Sequence, residues 1–290
     1  MIDRTLRRMH ICYSSFETIR EKEGVGVYRV FRGDMPSLIL KTFAKEDDRR
    51  EIANYHILQT LGIRTLQLLA TTEDAILLED VEASPVLRLG CAEDMDDPQL
   101  CTALGGWYRL LHERGRGYIA EYGAKMYAET DCLTRGNMEL VMRRTDTQDL
   151  PVWQAVFDTL PRLSILLSKM TQTLTYNDFY YTNLIAAKDK SSAFMFDYNL
   201  LGRGLAASDI RNVTWSLGEN GKRAFLRAYG EVDKLEEQLD DVASILVTLY
   251  SASQRPVFPR WAEESLQALK NGKLSNAIAR LPGVNKDGEV

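Results

Sequence analysis

β-Forming residues dominate positions 16–43, in three short runs separated by Glu23-Gly24-Val25-Gly26 and by Gly33-Asp34-Met35-Pro36. Turn residues between runs of this length predict three antiparallel strands. The third run, Ser37-Leu38-Ile39-Leu40-Lys41-Thr42-Phe43, places a lysine near the end of an otherwise apolar stretch, where it needs an anion. Asp47-Asp48-Arg49-Arg50 then opens a helix with apolar Ala53, Ile57 and Leu61 at four-residue steps and Gly62 as its stop. Glu51 falls on the face of that helix that carries Tyr55 and Leu58. Positions 66–70 and 75–78, about the polar Thr71-Thr72-Glu73-Asp74, read as two more strands. The pattern predicts a five-stranded antiparallel sheet with one main helix.

Beyond Pro85 the period turns helical. Leu100, Ala103, Leu104, Trp107 and Leu111 form one apolar stripe. Positions 115–149 have no firm period and suggest a loop-and-helix insertion. A helix is expected over 161–170, a strand at Leu174-Thr175, and further helices over 213–217, 223–229, 233–250 and 261–270. Glu236, Glu237, Asp240 and Asp241 would lie on one side of the third of these, as a solvated face or one turned to a cationic ligand.

Between the helical stretches stands Thr175-Tyr176-Asn177-Asp178-Phe179-Tyr180-Tyr181-Thr182-Asn183-Leu184-Ile185, a polar turn at 188–192, and Ala193-Phe194-Met195-Phe196-Asp197. Two apolar runs about a turn predict a β-hairpin. Pairing symmetric about Lys190 would set Asn183 opposite Asp197. A carboxylate and an amide oxygen aimed at one point suit a hard cation such as Mg²⁺, which takes few protein ligands and completes its shell with water and phosphate oxygens. Asp178, five residues before Asn183, would sit in the loop entering the hairpin, beside the metal, where a base for an attacking hydroxyl belongs. A chance hairpin with acidic ends is the bland alternative for this stretch alone.

The spacing D-x-x-x-x-N followed by an aspartate on the next strand matches the catalytic-loop pattern of kinases. The segment resembles the loop of the aminoglycoside phosphotransferase and choline kinase family, small-molecule kinases of protein-kinase-like fold in which H-G-D-x-x-x-x-N precedes I-D-x. Tyr176-Asn177-Asp178 stands for His-Gly-Asp, and Tyr180-Tyr181-Thr182 replaces the usual His-Pro-Gly. The resemblance covers about residues 27–210. It implies a bilobal α+β fold, with residues 1–82 as a nucleotide-binding lobe and 83–290 as a mostly helical catalytic and acceptor-binding lobe. Lys41 would take the α/β-phosphates of ATP or GTP, and Glu51 would orient it, unless Glu51 is a solvated glutamate among its charged neighbours. Gly24 and Gly26 would bring backbone amides to the phosphates or form a plain hairpin turn; the third glycine of G-x-G-x-x-G is absent, with Arg29 in its place. The Glu79 carbonyl and the Val81 amide would receive the nucleobase, and Asn183 and Asp197 would hold Mg²⁺. Asp178 would serve the acceptor hydroxyl, and Asp209, after Gly202 and Gly204, would anchor the catalytic loop.

The implied activity is transfer of the γ-phosphate to a hydroxyl of a small molecule such as an aminoglycoside or choline. Eleven residues lie between Asp197 and Asp209, no Phe-Gly follows Asp197 and no A-P-E element is present, which excludes a protein-kinase activation segment. A catalytically silent nucleotide-binding interaction protein is the rival from another class. The chain of 290 residues, 45% hydrophobic and 27% charged, suffices for two lobes. A formal charge of -5 argues against a nucleic-acid partner and is compatible with a cationic acceptor. Cys12, Cys91, Cys101 and Cys132 have no metal-binding or disulfide spacing, and His10, His56 and His112 are scattered. No apolar run approaches the length of a membrane helix, and none follows Arg4, Arg7 and Arg8 as in a leader, so a cytoplasmic protein without a membrane partner is expected.

Overall fold

A computed structural model describes residues 2–283. In chain order the first half carries α1 (Ile2–Arg8), β1 (Ser15–Lys22), β2 (Val25–Arg32), β3 (Met35–Phe43), α2 (Arg50–Thr60), β4 (Leu68–Thr71), β5 (Ala75–Glu79), β6 (Leu87–Leu89) and α3 (Pro98–Tyr122). Then follow α4 (Arg135–Thr145), α5 (Val152–Lys169), β7 (Thr173–Thr175), β8 (Leu184–Ala187), β9 (Ala193–Met195) and β10 (Gly202–Gly204). Helices α6 (Ala206–Ser216), α7 (Glu219–Tyr229), α8 (Lys234–Ser253), α9 (Glu263–Lys270) and α10 (Lys273–Arg280) complete the described chain. Described residues up to 115, at 176–201 and at 212–230 form one compact unit; those at 116–175, 202–211 and from 231 onward form another.

The first unit is built on a five-stranded antiparallel sheet in the order β1-β2-β3-β5-β4. Period-2 alternation gives it two faces. Tyr28, Val30, Leu38, Leu40, Ala75 and Leu77 pack with Leu6 and Met9 in one apolar cluster. Val25, Val27, Ile39, Lys41 and Leu78, from the alternate positions, line a cleft on the other face. Helix α2 buries Glu51, Asn54, Tyr55 and Leu58. The expected Ala53–Ile57–Leu61 stripe is therefore not the core face: Ala53 is exposed and Ile57 half-buried. Burial here follows the polar partners available, since Glu51 meets Lys41 and Asn54 Nδ2 donates to the Tyr198 carbonyl at 2.7 Å. Gly62, at φ +62°, ends the helix, and Ile63 N donates to Leu58 O at 2.8 Å.

In the same unit β6, β8 and β9 form a three-stranded sheet. The hairpin is there, in a different register from the symmetric one. Leu184 pairs with Met195 and Ile185 with Phe194, so Asn183 stands opposite Phe196, whose N–H donates to the Asn183 carbonyl at 3.0 Å. The register is one residue off the assumed one, with the pairing centred between Asp189 and Lys190, and β9 ends before Phe196 and Asp197. An aromatic cluster lies behind the loop, where Tyr176 meets Trp107, Tyr108 and Tyr198 edge-on and Tyr55 meets Tyr198 likewise.

The second unit is mainly helical, with a core from α4, α5, α8, α9 and α10 that includes Val141, Val156, Leu163, Leu246 and Leu274. Two expectations are corrected here. Helix α5 starts at Val152, not 161, and holds Pro161 in its interior. A proline mid-helix removes one hydrogen bond at a cost of about 3 kcal/mol, which the buried stripe Val152, Val156, Leu160, Leu163 and Leu167 offsets. Residues 115–149, the expected loop-and-helix insertion, do hold a helix, α4, with loops beside it, after the last turns of α3. On α8, Glu236 and Asp240 are buried, so the four acids are neither one solvated face nor an open cationic site. Asp240 takes Arg211 Nε at 2.6 Å and Glu236 accepts from Ala207 N at 3.2 Å; Asp241 and Glu237 remain exposed. Among the described residues no helix is long and apolar enough to cross a membrane.

Candidate active site

A cleft of about 590 Å³ opens on the sheet of the first unit, and every residue that lines it belongs to that unit. Strand β3 delivers Lys41 to its wall. The Lys41 ammonium lies 2.6 Å from Glu51 Oε2 and 2.8 Å from Asp197 Oδ1. The side chain of Glu51 is 1% exposed, so the pair is shielded from water and screened little. Burial pushes the Glu51 carboxyl up to about 7 against the pull of Lys41. For Lys41 burial disfavours the charge, but Glu51 and Asp197 outweigh it and raise the ammonium pKa.

The loop between β7 and β8 presents Asp178. Asn183 Nδ2 donates to its carboxylate Oδ2 at 3.2 Å and to its main-chain carbonyl at 3.3 Å. Burial raises the Asp178 pKa, and the charge of Asp197 adds to this, while Asn183 and Lys41 work against it. Two residues of the site have left-handed backbone, Asn177 at φ +66° and Asp197 at φ +63°. Asparagine tolerates this region better than most residues with a Cβ. Asn177 therefore fills a glycine's place, and its amide also donates to the Leu200 carbonyl at 3.0 Å.

The segment around Asp197 is held from several sides. The Tyr176 hydroxyl donates to the Phe196 carbonyl at 2.5 Å and the Tyr198 hydroxyl to the Met195 carbonyl. With Asn54 on the Tyr198 carbonyl, these bonds fix the backbone on both sides of the aspartate. Tyr176 is buried, so it replaces the loop histidine as a core ring with a polar tip.

Lys41, Glu51, Asn183, Asp197, Glu79 and Val81 all line the cleft; Asp178 lies beside it on Asn183, and Gly24 and Gly26 are outside its lining. Glu23 and Gly24, at φ +55° and +98°, make a two-residue hairpin turn between the paired Lys22 and Val25. Gly26 is already inside β2, and a Cβ there would lie 2.4 Å from the Tyr28 hydroxyl. The acidic side chains at the end of β5 and just after it carry hydrogen bonds and ion pairs. Asp80 accepts from Arg29 Nε at 2.7 Å, Ser37 Oγ at 2.6 Å and Glu82 N at 3.0 Å; Glu79 Oε1 accepts from Gln67 N at 2.8 Å. Arg29 also reaches Glu17 and Glu82. Asp209 is buried in the first turn of α6. Sequence reasoning missed Asn54, Tyr198 and the clamp by Tyr176; only the Tyr-for-His replacement gave a signal.

The donor set suits a hard cation. Asp197 gives one oxygen to Lys41 and keeps the other, and Asn183, its amide nitrogen committed to Asp178, keeps its oxygen. Among the described residues no cluster of three or more His, Cys, Asp or Glu forms a closed metal cage. Asn183 and Asp197 both line the cleft, and Mg²⁺ takes few protein ligands, completing its shell with water and phosphate oxygens.

No sequence-family profile matches this chain, and no curated protein sequence matches it either. Its structure is similar to choline kinase LicA from Streptococcus pneumoniae, with TM-score 0.62 and 14% identity over 94% of this chain and 97% of that one. It is also similar to macrolide 2'-phosphotransferase MphH from Brachybacterium faecium, with TM-score 0.60 and 15% identity over 92% and 96%. The ternary complex of APH(2")-IIa with streptomycin and ATP matches with TM-score 0.59 and 12% identity over 93% and 95%. Across nearly its full length, the chain thus has the kinase-like fold of the aminoglycoside phosphotransferases and the choline and ethanolamine kinases.

Proposed function

We propose that the protein is a small-molecule kinase, moving the γ-phosphate of ATP or GTP to a hydroxyl with Mg²⁺ as cofactor. The observation that carries the reading is Lys41 held between Glu51 and Asp197 in one cleft. Lys41 would hold nucleotide phosphates, with Glu51 keeping its side chain extended into the cleft. Asn183 and Asp197 would hold Mg²⁺, which when bound neutralises charge on the phosphates. Asp178 would orient the acceptor hydroxyl and take its proton: Asn183 holds Oδ2, and Oδ1 is left for the acceptor. The Glu79 carbonyl and the Val81 amide would meet the nucleobase.

The acceptor belongs to the hydroxylated small molecules, a class that includes the substrates named for the similar structures. Nucleotide consumption should be measured against a panel of aminoglycosides, macrolides, choline, ethanolamine and sugars. At least one acceptor should give turnover that excess chelator abolishes. Turnover that persists in chelator would refute the metal assignment. Binding of Mg-ATP without transfer to any acceptor would favour a silent nucleotide-binding protein.

A further inference from the structure

Strand β1 contains one irregularity that bears on the cleft. Thr18 pairs with Tyr28 and Arg20 with Val27, so Ile19 is an extra residue in β1. In unbroken register Ile19 would stand opposite Val27 and Arg20 would turn to the other face. A β-bulge re-aims the side chains at and after it, and here Ile19 and Arg20, successive in sequence, both line the cleft. Val27 pairs in turn with Lys41. Arg20, Val27 and Lys41 thus form one cross-strand row on the cleft face, with Arg20 and Lys41 two strand spacings apart, about 9–10 Å between backbones.

Lys45, just past the end of β3, also lines the cleft, and its side chain lies against the Glu23-Gly24 turn, 3.6 Å from where a Gly24 Cβ would be. Lys22 is 3.6 Å from Glu23, but Arg20 and Lys45 have no carboxylate partner among the described residues. Lys41 is already shared by two carboxylates, so its single charge leaves a polyphosphate tail under-neutralised. The two-residue turn does not form a wide glycine loop, and the Tyr28 ring fills the side of Gly26.

We propose that Arg20, aimed into the cleft by the bulge, binds the terminal phosphates of the nucleoside triphosphate together with Lys45. Side-chain cations do here what backbone amides of a glycine-rich loop would otherwise do. A guanidinium offers paired donors to phosphate oxygens, and the site would discriminate by tail length, preferring triphosphate to monophosphate. The inference rests on the kinase reading above and assigns a specificity role within it.

The test is calorimetric titration of Mg-ATP, Mg-ADP and AMP into wild type, Arg20→Gln, Arg20→Lys and Lys45→Gln, with thermal melts to verify folding. Arg20→Gln should weaken ATP about tenfold, the scale of one charge-assisted contact, and AMP less than twofold. Arg20→Lys should recover most of the loss. Lys45→Gln should act in the same direction more weakly, and higher salt should shrink both effects. Equal losses for ATP and AMP, or no loss of ATP affinity in Arg20→Gln, would overturn the inference while leaving the kinase reading intact. A folded wild type that takes up no nucleotide would overturn both.

Discussion

Asn183 donates to Asp178 twice, to Oδ2 at 3.2 Å and to the main-chain carbonyl at 3.3 Å, so one amide fixes both the carboxylate and the loop that carries it. The same bonds turn the amide oxygen of Asn183 to other use. The candidate base and the candidate metal ligand are therefore one mechanical unit.

Replacement of Asp178 by asparagine keeps the shape and removes the charge. Turnover should fall by roughly 10²–10⁴, the range for a lost general base. The loss should lie in kcat, and calorimetry should find nucleotide affinity within about threefold of wild type. Wild-type turnover in this variant would remove Asp178 from the chemistry.

Lys41 and Glu51 should be energetically coupled. Lys41→Ala and Glu51→Ala each break the 2.6 Å pair, so the second substitution has little left to remove. A double-mutant cycle on kcat/KM should give a coupling of about 1 kcal/mol or more. Additive losses would mean that the contact does no work in turnover.

The pH dependence of stability follows from Glu51. Its carboxyl is raised from 4.5 to about 7 by burial. A carboxyl that binds its proton more tightly when folded contributes stability below its unfolded pKa and loses it as pH rises through the folded value. Between pH 4.5 and 7 the melting temperature of wild type should therefore fall relative to that of Glu51→Gln, which has no proton to lose there. A constant difference across this window would contradict the assignment.

Asn177 combines left-handed backbone with a bond to the Leu200 carbonyl. Asn177→Ala should cost about 1–3 kcal/mol in chemical denaturation, from strain and the lost bond. Asn177→Gly keeps the backbone freedom and should cost less. The reverse order would mean that the φ value does not limit this loop.

Much of the architecture was written in local pattern. The five strands, the helix carrying Glu51 beside Tyr55, the hairpin and the order of lysine, glutamate and aspartates along the chain all follow from period, turn residues and spacing. These are properties of neighbours in sequence, and short-range sterics and hydrophobic alternation suffice to determine them. Pairings between distant segments were decided only in three dimensions. The hairpin register is one residue off the symmetric one, so Phe196 rather than Asp197 faces Asn183, and Asp197, with left-handed backbone, meets Lys41. The bulge at Ile19 brings Arg20 into the row of Lys41, and Asn54, Tyr176 and Tyr198 find carbonyls far along the chain. A slip of one residue in a strand reverses which side chains face the cleft; that choice depends on what packs against both faces of the sheet, which no window of sequence contains.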